Sequence, residues 1–495
     1  LRRYTLIMLE IFSSLSPAMV ALLLLALGLV FFFEFINGFH DTANAVATVI
    51  YTQSMKPVHA VIASGMFNFL GVVTGGLAVA YAIVNLLPID LLASGNTKVL
   101  LAMVFSLLLA AIIWNLGTWY FGLPASSSHT LIGAILGVGV ANALMEGQSF
   151  TTGVNWNKAM DVGASLLFSP MAGFILAYVM LAILRKLMPI GKIHQTPYLR
   201  NGVRGKKHPP FWTRFLLILS AMGVSFAHGS NDGQKGIGLA MLTLICILPS
   251  HYVVNSSINQ YDLERSLSSV TRLELFIQQN QASIQAAFPA APAIATGKEK
   301  VHCQPSDALT YGQNVRQLMA GSHEISHFTT DQRWALRTNL LCLEDSAKKL
   351  AAMPGNSPEQ KAYLQQVGKD FSLPVEYAPL WVIVAIALSL GIGTMIGWKR
   401  VVTTVGEGIG KSHMTYAQGV CAQVTAAVGI AGANLFGLPV STTQILSSAV
   451  AGTAVANKSG LQWSTIRNIL LAWIFTFPVA MGISGGLYFL IRMVF

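Results

Sequence analysis

Long apolar stretches constrain this chain more than any other feature of its sequence. A helix needs roughly 20 apolar residues to cross a bilayer, and eight stretches approach or exceed that length with few charged side chains. Only 10% of the residues are charged and 53% are hydrophobic, whereas about a quarter of the residues in a soluble protein are charged. The sequence therefore predicts an all-α polytopic membrane protein with the lipid bilayer as its solvent. The stretches are residues 18–36, 60–87, 100–121, 165–187, 211–227, 381–398, 414–436 and 469–494.

The positive charge of the chain is concentrated beside these stretches. The formal net charge is +11, and the segment from Arg185 to Arg214 holds eight Lys or Arg residues and no Asp or Glu. Basic loops next to membrane spans are typical of the cytoplasmic side. We therefore expect residues 189–210 to form a cytoplasmic linker, and we do not expect nucleic-acid binding. The first apolar stretch lacks a small-residue cleavage pattern, so it predicts a span and not a cleaved signal peptide.

Two sequence motifs occur twice, in the same order. GLPASSSHT at residues 122–130 recurs as GLPVSTTQI at residues 437–445, an offset of 315. GFHDTAN at residues 38–44 corresponds to GSNDGQK at residues 229–235, an offset of 191. The chain is therefore predicted to contain two transmembrane repeats of about five spans each, and an odd number of crossings would give them inverted topology.

The two offsets differ because the second repeat carries an insertion. Residues 255–375 are polar, contain no spanning stretch, and take the place of a short loop at residues 52–57. We expect an extramembrane segment on the outer side, helical around residues 331–352. In an oxidising compartment its only cysteines, Cys303 and Cys342, could form a disulfide. The expected domains are the first repeat (1–188), the linker (189–210), the second repeat (211–254 and 376–495) and the insertion (255–375).

Three acidic residues fall at membrane depth: Glu34, Asp41 and Asp232. An ionisable side chain is costly to bury there, so its usual role is functional; a carboxyl group paired for structural reasons is the alternative. Asp41 and Asp232 occupy equivalent positions in the two repeats, which favours a functional role. Glu34 lies two helical turns before Asp41, and either faces the same cavity or packs on a neighbouring helix.

The Asp motifs combine glycines with polar side chains. Gly38 and Gly229 permit non-helical backbone, so we expect both helices to be broken at these points, where they would line a cavity. Polar side chains beside the breaks could bind the exposed peptide groups or a ligand: His40, Asn44, Asn231 and Gln234.

Each Gly-Leu-Pro motif predicts a helix that begins inside the membrane. Pro124 and Pro439 suit the start of a helix, and the hydroxyl groups that follow can cap it. The free backbone N–H groups and the positive end of the helix dipole then favour an anion. A Ser/Thr-rich contact between helices is the alternative. The candidate donors, which suit a tetrahedral oxyanion, are Ser126, Ser127, Ser128, Ser441, Thr442 and Thr443.

Together these motifs resemble those of the inorganic phosphate transporter (Pit) family over almost the whole chain. Residues 37–48, NGFHDTANAVAT, and 226–236, FAHGSNDGQKG, are similar to the bacterial low-affinity, proton-coupled branch, as is the insertion. The resemblance implies a symporter of the bacterial inner membrane that imports phosphate as a neutral complex with a divalent metal ion. It also implies a site built from Asp41, Asn44, Ser126, Ser127, Ser128, Asp232, Ser441, Thr442 and Thr443.

The chain departs from the sodium-coupled relatives at three positions. Lys235 stands where they carry Asn, and Asn68 and Gln423 align with their glutamates. Fewer carboxylates and a nearby ammonium group disfavour a bound sodium ion. We therefore expect proton coupling through Asp41, Asp232 or Glu34, and Lys235 could pair with phosphate or with Asp232.

Alternative functions remain open on the sequence alone. They are sodium-coupled phosphate symport, transport of sulfate, a channel, and a membrane-embedded hydrolase using His40 and Asp41 or Ser128 and His129. Phosphate is favoured over sulfate because it can retain a proton near neutral pH. The hydrolase lacks an accompanying His-Glu-x-x-His or Gly-x-Ser-x-Gly motif. We expect a transporter with no enzyme activity and no cofactor, and the sequence indicates neither an oligomeric state nor a resident metal.

Overall fold

The computed structural model describes residues 15–88, 91, 96–205, 208–288, 303–320, 325–396, 402 and 408–494, without the side chains of residues 43, 44, 97, 203 and 204. Within these ranges every regular element is a helix, apart from one isolated β-bridge between Gly410 and Leu461. The predicted all-α fold is therefore confirmed.

The chain divides into two compact units. The first comprises Leu1–Pro88, Lys98–Thr243 and Pro379–Phe495, and the second comprises Ile89–Thr97 and Leu244–Ala378. The domain boundaries expected from the sequence stay a prediction. The helices are α1 (Pro17–Tyr51), α2 (Pro57–Thr74), α3 (Ala78–Val84), α4 (Thr97–Tyr120), α5 (Ser127–Met145), α6 (Trp156–Leu187), α7 (Pro197–Arg204), α8 (Phe211–Ile247), α9 (Pro249–Tyr252), α10 (Gln260–Gln279), α11 (Gln281–Ala287), α12 (Ala308–Ala320), α13 (Thr330–Ala351), α14 (Pro358–Ser372), α15 (Leu380–Thr394), α16 (Tyr416–Leu435), α17 (Thr442–Ala456) and α18 (Trp463–Val494), with short 3-10 helices at Phe150–Thr152, Lys192–His194, Pro305–Asp307 and Ile325–His327.

Seven of the described helices are long and apolar enough to cross a membrane: α1, α2, α4, α5, α6, α8 and α18. Helix α15 is a shorter apolar helix, and α16 covers most of the expected span at residues 414–436. The expected span at residues 60–87 is two helices, because the chain turns at Gly76, whose φ of +83° lies in the region that glycine tolerates. A polytopic membrane protein is confirmed, whereas the inverted topology of two repeats stays a prediction.

The last helices of each half of the sequence pack against those of the other half. A Cβ at Gly137 on α5 would lie 2.1 Å from Ser484 Oγ on α18, and one at Gly452 on α17 would lie 2.3 Å from the Phe174 carbonyl oxygen on α6. Helices α5 and α17 are buried along most of their length, whereas α6 and α18 expose many large apolar side chains, as expected of helices in contact with lipid. The starts of α5 and α17 are therefore enclosed by the first unit.

Helices α1 and α8 run through the Asp motifs without a break, so the expected interruptions at Gly38 and Gly229 are wrong. The two glycines instead permit close packing. A Cβ at Gly38 would lie 2.4 Å from the Leu390 carbonyl oxygen on α15, and one at Gly229 would lie 2.1 Å from the Asn68 carbonyl oxygen on α2. Without side chains at these positions, the helix backbones approach each other directly.

Gly229→Ala is expected to destabilise the protein, because the new methyl group would clash with the backbone of α2 at Asn68. Overpacking a close contact of this kind costs about 1–3 kcal/mol or more. Thermal unfolding of the detergent-purified protein measures the loss. Gly163→Ala on α6 is the matched control, since nothing lies within 4 Å of an added Cβ there. Equal stability of the two variants would contradict the packing role.

The second unit is more helical than the sequence suggested. The helix expected around residues 331–352 is α13, and α10, α11, α12 and α14 accompany it. Arg337 on α13 is buried and donates to the carbonyl oxygens of Val253 and Val375. Cys303 and Cys342 form a disulfide, with their Cα atoms 4.8 Å apart, which confirms the predicted bridge. The outer-side placement of this unit stays a prediction.

Candidate functional site

Helices α5 and α17 begin directly after the two Gly-Leu-Pro motifs, three residues beyond Pro124 and Pro439, so the prolines precede the caps instead of opening the helices. In each motif a glycine with positive φ turns the chain before the helix, at +65° for Gly122 and +64° for Gly437. Ser126 caps α5 and Ser441 caps α17, each by accepting a hydrogen bond from the backbone N–H three residues later, at 3.2 Å in both helices. The two hydroxyl groups that follow each cap are left for other partners.

Asp41 lies at both helix starts. Its carboxylate accepts hydrogen bonds from the hydroxyl groups of Ser127 on α5, at 3.2 Å, and of Thr442 and Thr443 on α17, at 3.4 and 2.8 Å. His40 Nδ1 lies 3.1 Å from the same carboxylate, and all five side chains are buried. The two helix starts thus present their hydroxyl groups to an anion, as the sequence predicts, but in this structure the anion belongs to the protein.

Asp232 and Lys235 form a buried ion pair one turn apart on α8. Lys235 Nζ lies 2.5 Å from Asp232 Oδ1, which is one of the two partners expected for it, and its pairing with phosphate stays a prediction. The same ammonium group donates to Ser128 Oγ at 2.5 Å and to the Val440 carbonyl oxygen at 2.8 Å. Lys235 therefore connects α8 with the start of α5 and with the segment that leads into α17.

His228 lies between the two aspartates, although it was not predicted as a site residue. Its Nε2 atom is 3.3 Å from Asp232 Oδ2 and 3.6 Å from Asp41 Oδ2, and its Nδ1 atom is 3.0 Å from Asn68 Oδ1. One signal in the sequence could have found it: His228 precedes Asp232 by four residues, and such positions share a helix face. Because the helix was expected to break at Gly229, His228 and Asp232 were not expected to share a helix face.

The remaining predicted residues have other partners. Asn231 donates to Asn434 Oδ1 at 2.6 Å and to the Leu438 carbonyl oxygen at 3.2 Å, so it contacts the segment before α17 and not the aspartates. Ser126 and Ser441 act as helix caps. The side chain of Asn44 lies outside the described residues, so its predicted role stays a prediction.

Glu34 is fully buried and packs on α8, the helix that carries Asp232 and Lys235, and its predicted role in coupling stays a prediction. Its carboxyl carbon lies 2.4 Å from the position of a Cβ at Gly236, the residue after Lys235. Oε2 accepts a hydrogen bond from Asn37 at 3.4 Å, whereas Oε1 has no hydrogen-bond partner in the described part of the chain. A third carboxyl group is therefore buried in the same unit as Asp41 and Asp232.

The charges of the site balance only if an imidazole is protonated or a further cation is bound. Asp41 and Asp232 are two carboxylates, and Lys235 is the one ammonium group among the described residues that touches either of them. With neutral imidazoles the set carries a net charge of −1. Burying an uncompensated charge is costly, so the arrangement favours a further cation near the aspartates, while hydroxyl groups and Lys235 suit an oxyanion.

Comparisons with known proteins place the chain among phosphate transporters by sequence. The chain is 51% identical over 494 residues to the low-affinity inorganic phosphate transporter PitA of Escherichia coli strain K12, covering 98% of this chain and 99% of that one. It is 50% identical, with the same coverage, to PitB of that strain. It is 26% identical to a probable low-affinity inorganic phosphate transporter of Bacillus subtilis, covering 94% and 95% of the two chains.

Structure and family comparisons extend this result. A solved structure described as the sodium-dependent phosphate transporter shares the fold, with a TM-score of 0.54 at 18% identity, covering 96% of this chain and all of that one. A model of the phosphate transporter family matches residues 37–484. The predicted Pit resemblance and the expectation of a transporter instead of an enzyme are thereby confirmed. This multi-pass membrane protein belongs to the phosphate transporter family.

Proposed function

We propose that this chain is a secondary transporter that imports inorganic phosphate across the inner membrane of a bacterium. The observation that carries the proposal is the convergence of two helix starts on one oxyanion, the Asp41 carboxylate, through Ser127, Thr442 and Thr443. Phosphate can accept hydrogen bonds from the same kind of donors, and Ser128 and Lys235 lie beside them. The relatives named low-affinity inorganic phosphate transporters support phosphate as the anion.

The cargo in this proposal is a neutral complex of phosphate with a divalent metal ion. Asp41 and Asp232 already place two negative charges against the single positive charge of Lys235 in a buried site. A phosphate dianion alone would add two more, and like charges about 4 Å apart repel by about 4 kcal/mol at an effective dielectric constant of 20. A neutral metal phosphate avoids that repulsion because it adds no net charge.

Protons are the proposed coupling ion, carried by Asp41, Asp232 or Glu34. A sodium site needs several free oxygen ligands, but the amides that align with sodium-site glutamates make contacts between helices. Asn68 bonds to Thr394 on α15, and Gln423 accepts from Ser220 at 2.8 Å.

Uptake of radiolabelled phosphate into proteoliposomes tests the substrate and the coupling ion together. We expect an inward proton gradient to drive accumulation without sodium, and a sodium gradient at matched pH and zero membrane potential to have no effect. Chelation of divalent cations should reduce the uptake. Sodium-driven accumulation would contradict proton coupling, sulfate uptake in place of phosphate would contradict the substrate, and flux that never exceeds equilibrium would indicate a channel.

A further inference from the structure

Three buried side chains direct one polar atom each toward a common point. Asp41 Oδ2, His228 Nε2 and Asp232 Oδ2 belong to residues whose ligand atoms all lie within 4.8 Å of one another. His228 Nε2 and Asp232 Oδ2 have no hydrogen-bond partner within the described ranges, although both side chains are at least 96% buried. Buried polar atoms without partners are rare in native proteins and require an explanation.

A chain of hydrogen bonds determines which nitrogen of His228 carries a proton. The Thr394 hydroxyl donates to the Leu390 carbonyl oxygen at 2.8 Å, so its oxygen accepts from the Asn68 amide nitrogen at 2.7 Å. That contact fixes the orientation of the Asn68 side chain, and its carbonyl oxygen therefore faces His228 Nδ1 at 3.0 Å. Nδ1 must donate to it.

The neutral imidazole then has a lone pair on Nε2, aimed at two carboxylate oxygens. Three acceptors facing one another in a dry site repel unless a cation lies between them. The nearest ammonium group, Lys235, bonds to the other oxygen of Asp232, Oδ1, and so does not satisfy this point. Either a metal ion or a second proton on the ring can supply the missing positive charge.

The distances from His228 Nε2 to the two carboxylate oxygens suit a metal ion. Imidazole nitrogen and carboxylate oxygen bind Zn²⁺ at about 2.0–2.2 Å, which places neighbouring ligand atoms about 3.0–3.5 Å apart. His228 Nε2 lies 3.3 Å from Asp232 Oδ2 and 3.6 Å from Asp41 Oδ2. The contact of Nδ1 with Asn68 is the kind of outer-shell hydrogen bond that orients a histidine ligand.

We propose that His228, Asp41 and Asp232 form a binding site for a divalent transition-metal ion, with His228 Nε2 as a direct ligand. One imidazole and two carboxylates suit Zn²⁺, Mn²⁺ or Co²⁺, whereas Mg²⁺ prefers oxygen ligands alone. Three protein ligands leave coordination positions open for a phosphate oxygen, and Lys235, which contacts Asp232 Oδ1 and Ser128, is the nearby cationic donor for that phosphate. That this ion is the metal of the transported complex rests on the proposed function.

Titration of the purified full-length protein with Co²⁺, in detergent and without phosphate, tests the site directly. The visible absorption of bound Co²⁺ reports nitrogen and oxygen ligands. We expect one tightly bound ion per chain, displaced by Zn²⁺ at equal concentration and by Mg²⁺ only in large excess. His228→Asn should weaken binding at least about tenfold, whereas His129→Asn, at a histidine whose Nδ1 contacts Ser126, should bind Co²⁺ as the unmodified protein does.

A second measurement needs no variant. Pulsed electron paramagnetic resonance of Mn²⁺ bound to the unmodified protein should show magnetic coupling to an imidazole nitrogen. Absence of that coupling, unchanged Co²⁺ binding in His228→Asn, or no bound Co²⁺ at all would overturn the metal site and leave a protonated His228. Phosphate uptake measured on the same preparation separates the two proposals, because uptake without metal binding refutes only this one, and metal binding without uptake refutes only the proposed function.

Discussion

Asp232→Asn is expected to reduce phosphate uptake to background and to destabilise the protein at the same time. The substitution removes the charge partner of Lys235, whose buried ammonium group lies 2.5 Å from Asp232 Oδ1. Removing one partner of a buried ion pair costs about 3–5 kcal/mol, because the other charge stays buried without compensation. Uptake into proteoliposomes and thermal unfolding in detergent measure the two effects separately.

Asp41→Asn should also abolish uptake, but with a much smaller loss of stability. The amide oxygen of asparagine can still accept from Ser127 and Thr442, which share Asp41 Oδ2, and the Thr443 hydroxyl, which faces the other oxygen, can accept from the amide nitrogen instead. Removing a buried charge is by itself neutral or favourable for stability. Asp232→Asn differs from Asp41→Asn because it leaves the Lys235 charge buried without a partner.

The double variant Asp232→Asn/Lys235→Met separates the two roles of Asp232. It removes both members of the ion pair, so most of the lost stability should return. Uptake should stay at background, because the carboxylate is still missing. A double variant as unstable as Asp232→Asn would show that the ion pair is not the cause, and normal uptake by Asp41→Asn or Asp232→Asn would exclude that residue from the mechanism.

The parts of the site that the sequence predicts are local. Ser126 and Ser441 are caps because a hydroxyl group at that position accepts an N–H group three residues later, and both helices begin where the motifs indicate. The pairing of Asp232 with Lys235 is equally local, since three residues make almost one helical turn. Such contacts depend on a few neighbouring residues and not on the rest of the fold.

The parts that the sequence did not predict depend on which helix lies opposite. A glycine can break a helix or admit a neighbouring backbone, and only the approach of α15 to Gly38 and of α2 to Gly229 decides between the two. The role of His228 depends in turn on the unbroken helix that keeps it one turn from Asp232, and on Asn68 of α2. Both outcomes are determined by contacts between segments that are distant in the sequence, which local sequence patterns do not show.

Glu34→Gln is expected to uncouple transport from the proton gradient while leaving exchange of phosphate intact. If a metal ion occupies Asp41 and Asp232, Glu34 is the carboxyl group at membrane depth that remains to carry the coupled proton. It is completely buried, Oε1 has no hydrogen-bond partner among the described residues, and it packs on α8 at Gly236, beside Lys235 in the chain. Glutamine keeps the size and the hydrogen bond from Asn37 but cannot release a proton.

Counterflow of labelled phosphate into proteoliposomes loaded with unlabelled phosphate measures exchange, and accumulation under an inward proton gradient measures coupling. For Glu34→Gln we expect exchange within about twofold of the unmodified protein, and a loss of at least about tenfold in gradient-driven accumulation, the effect of forfeiting about 1.4 kcal/mol of driving force. Glu146→Gln is the matched control, because Glu146 is exposed at the end of α5 and pairs with Arg492. Loss of exchange as well would assign Glu34 to phosphate binding or to the fold. Normal accumulation by Glu34→Gln would mean that Asp41 or Asp232 carries the coupled proton. Because a protonated carboxyl group does not bind a metal ion, that result would contradict continuous metal binding by both aspartates.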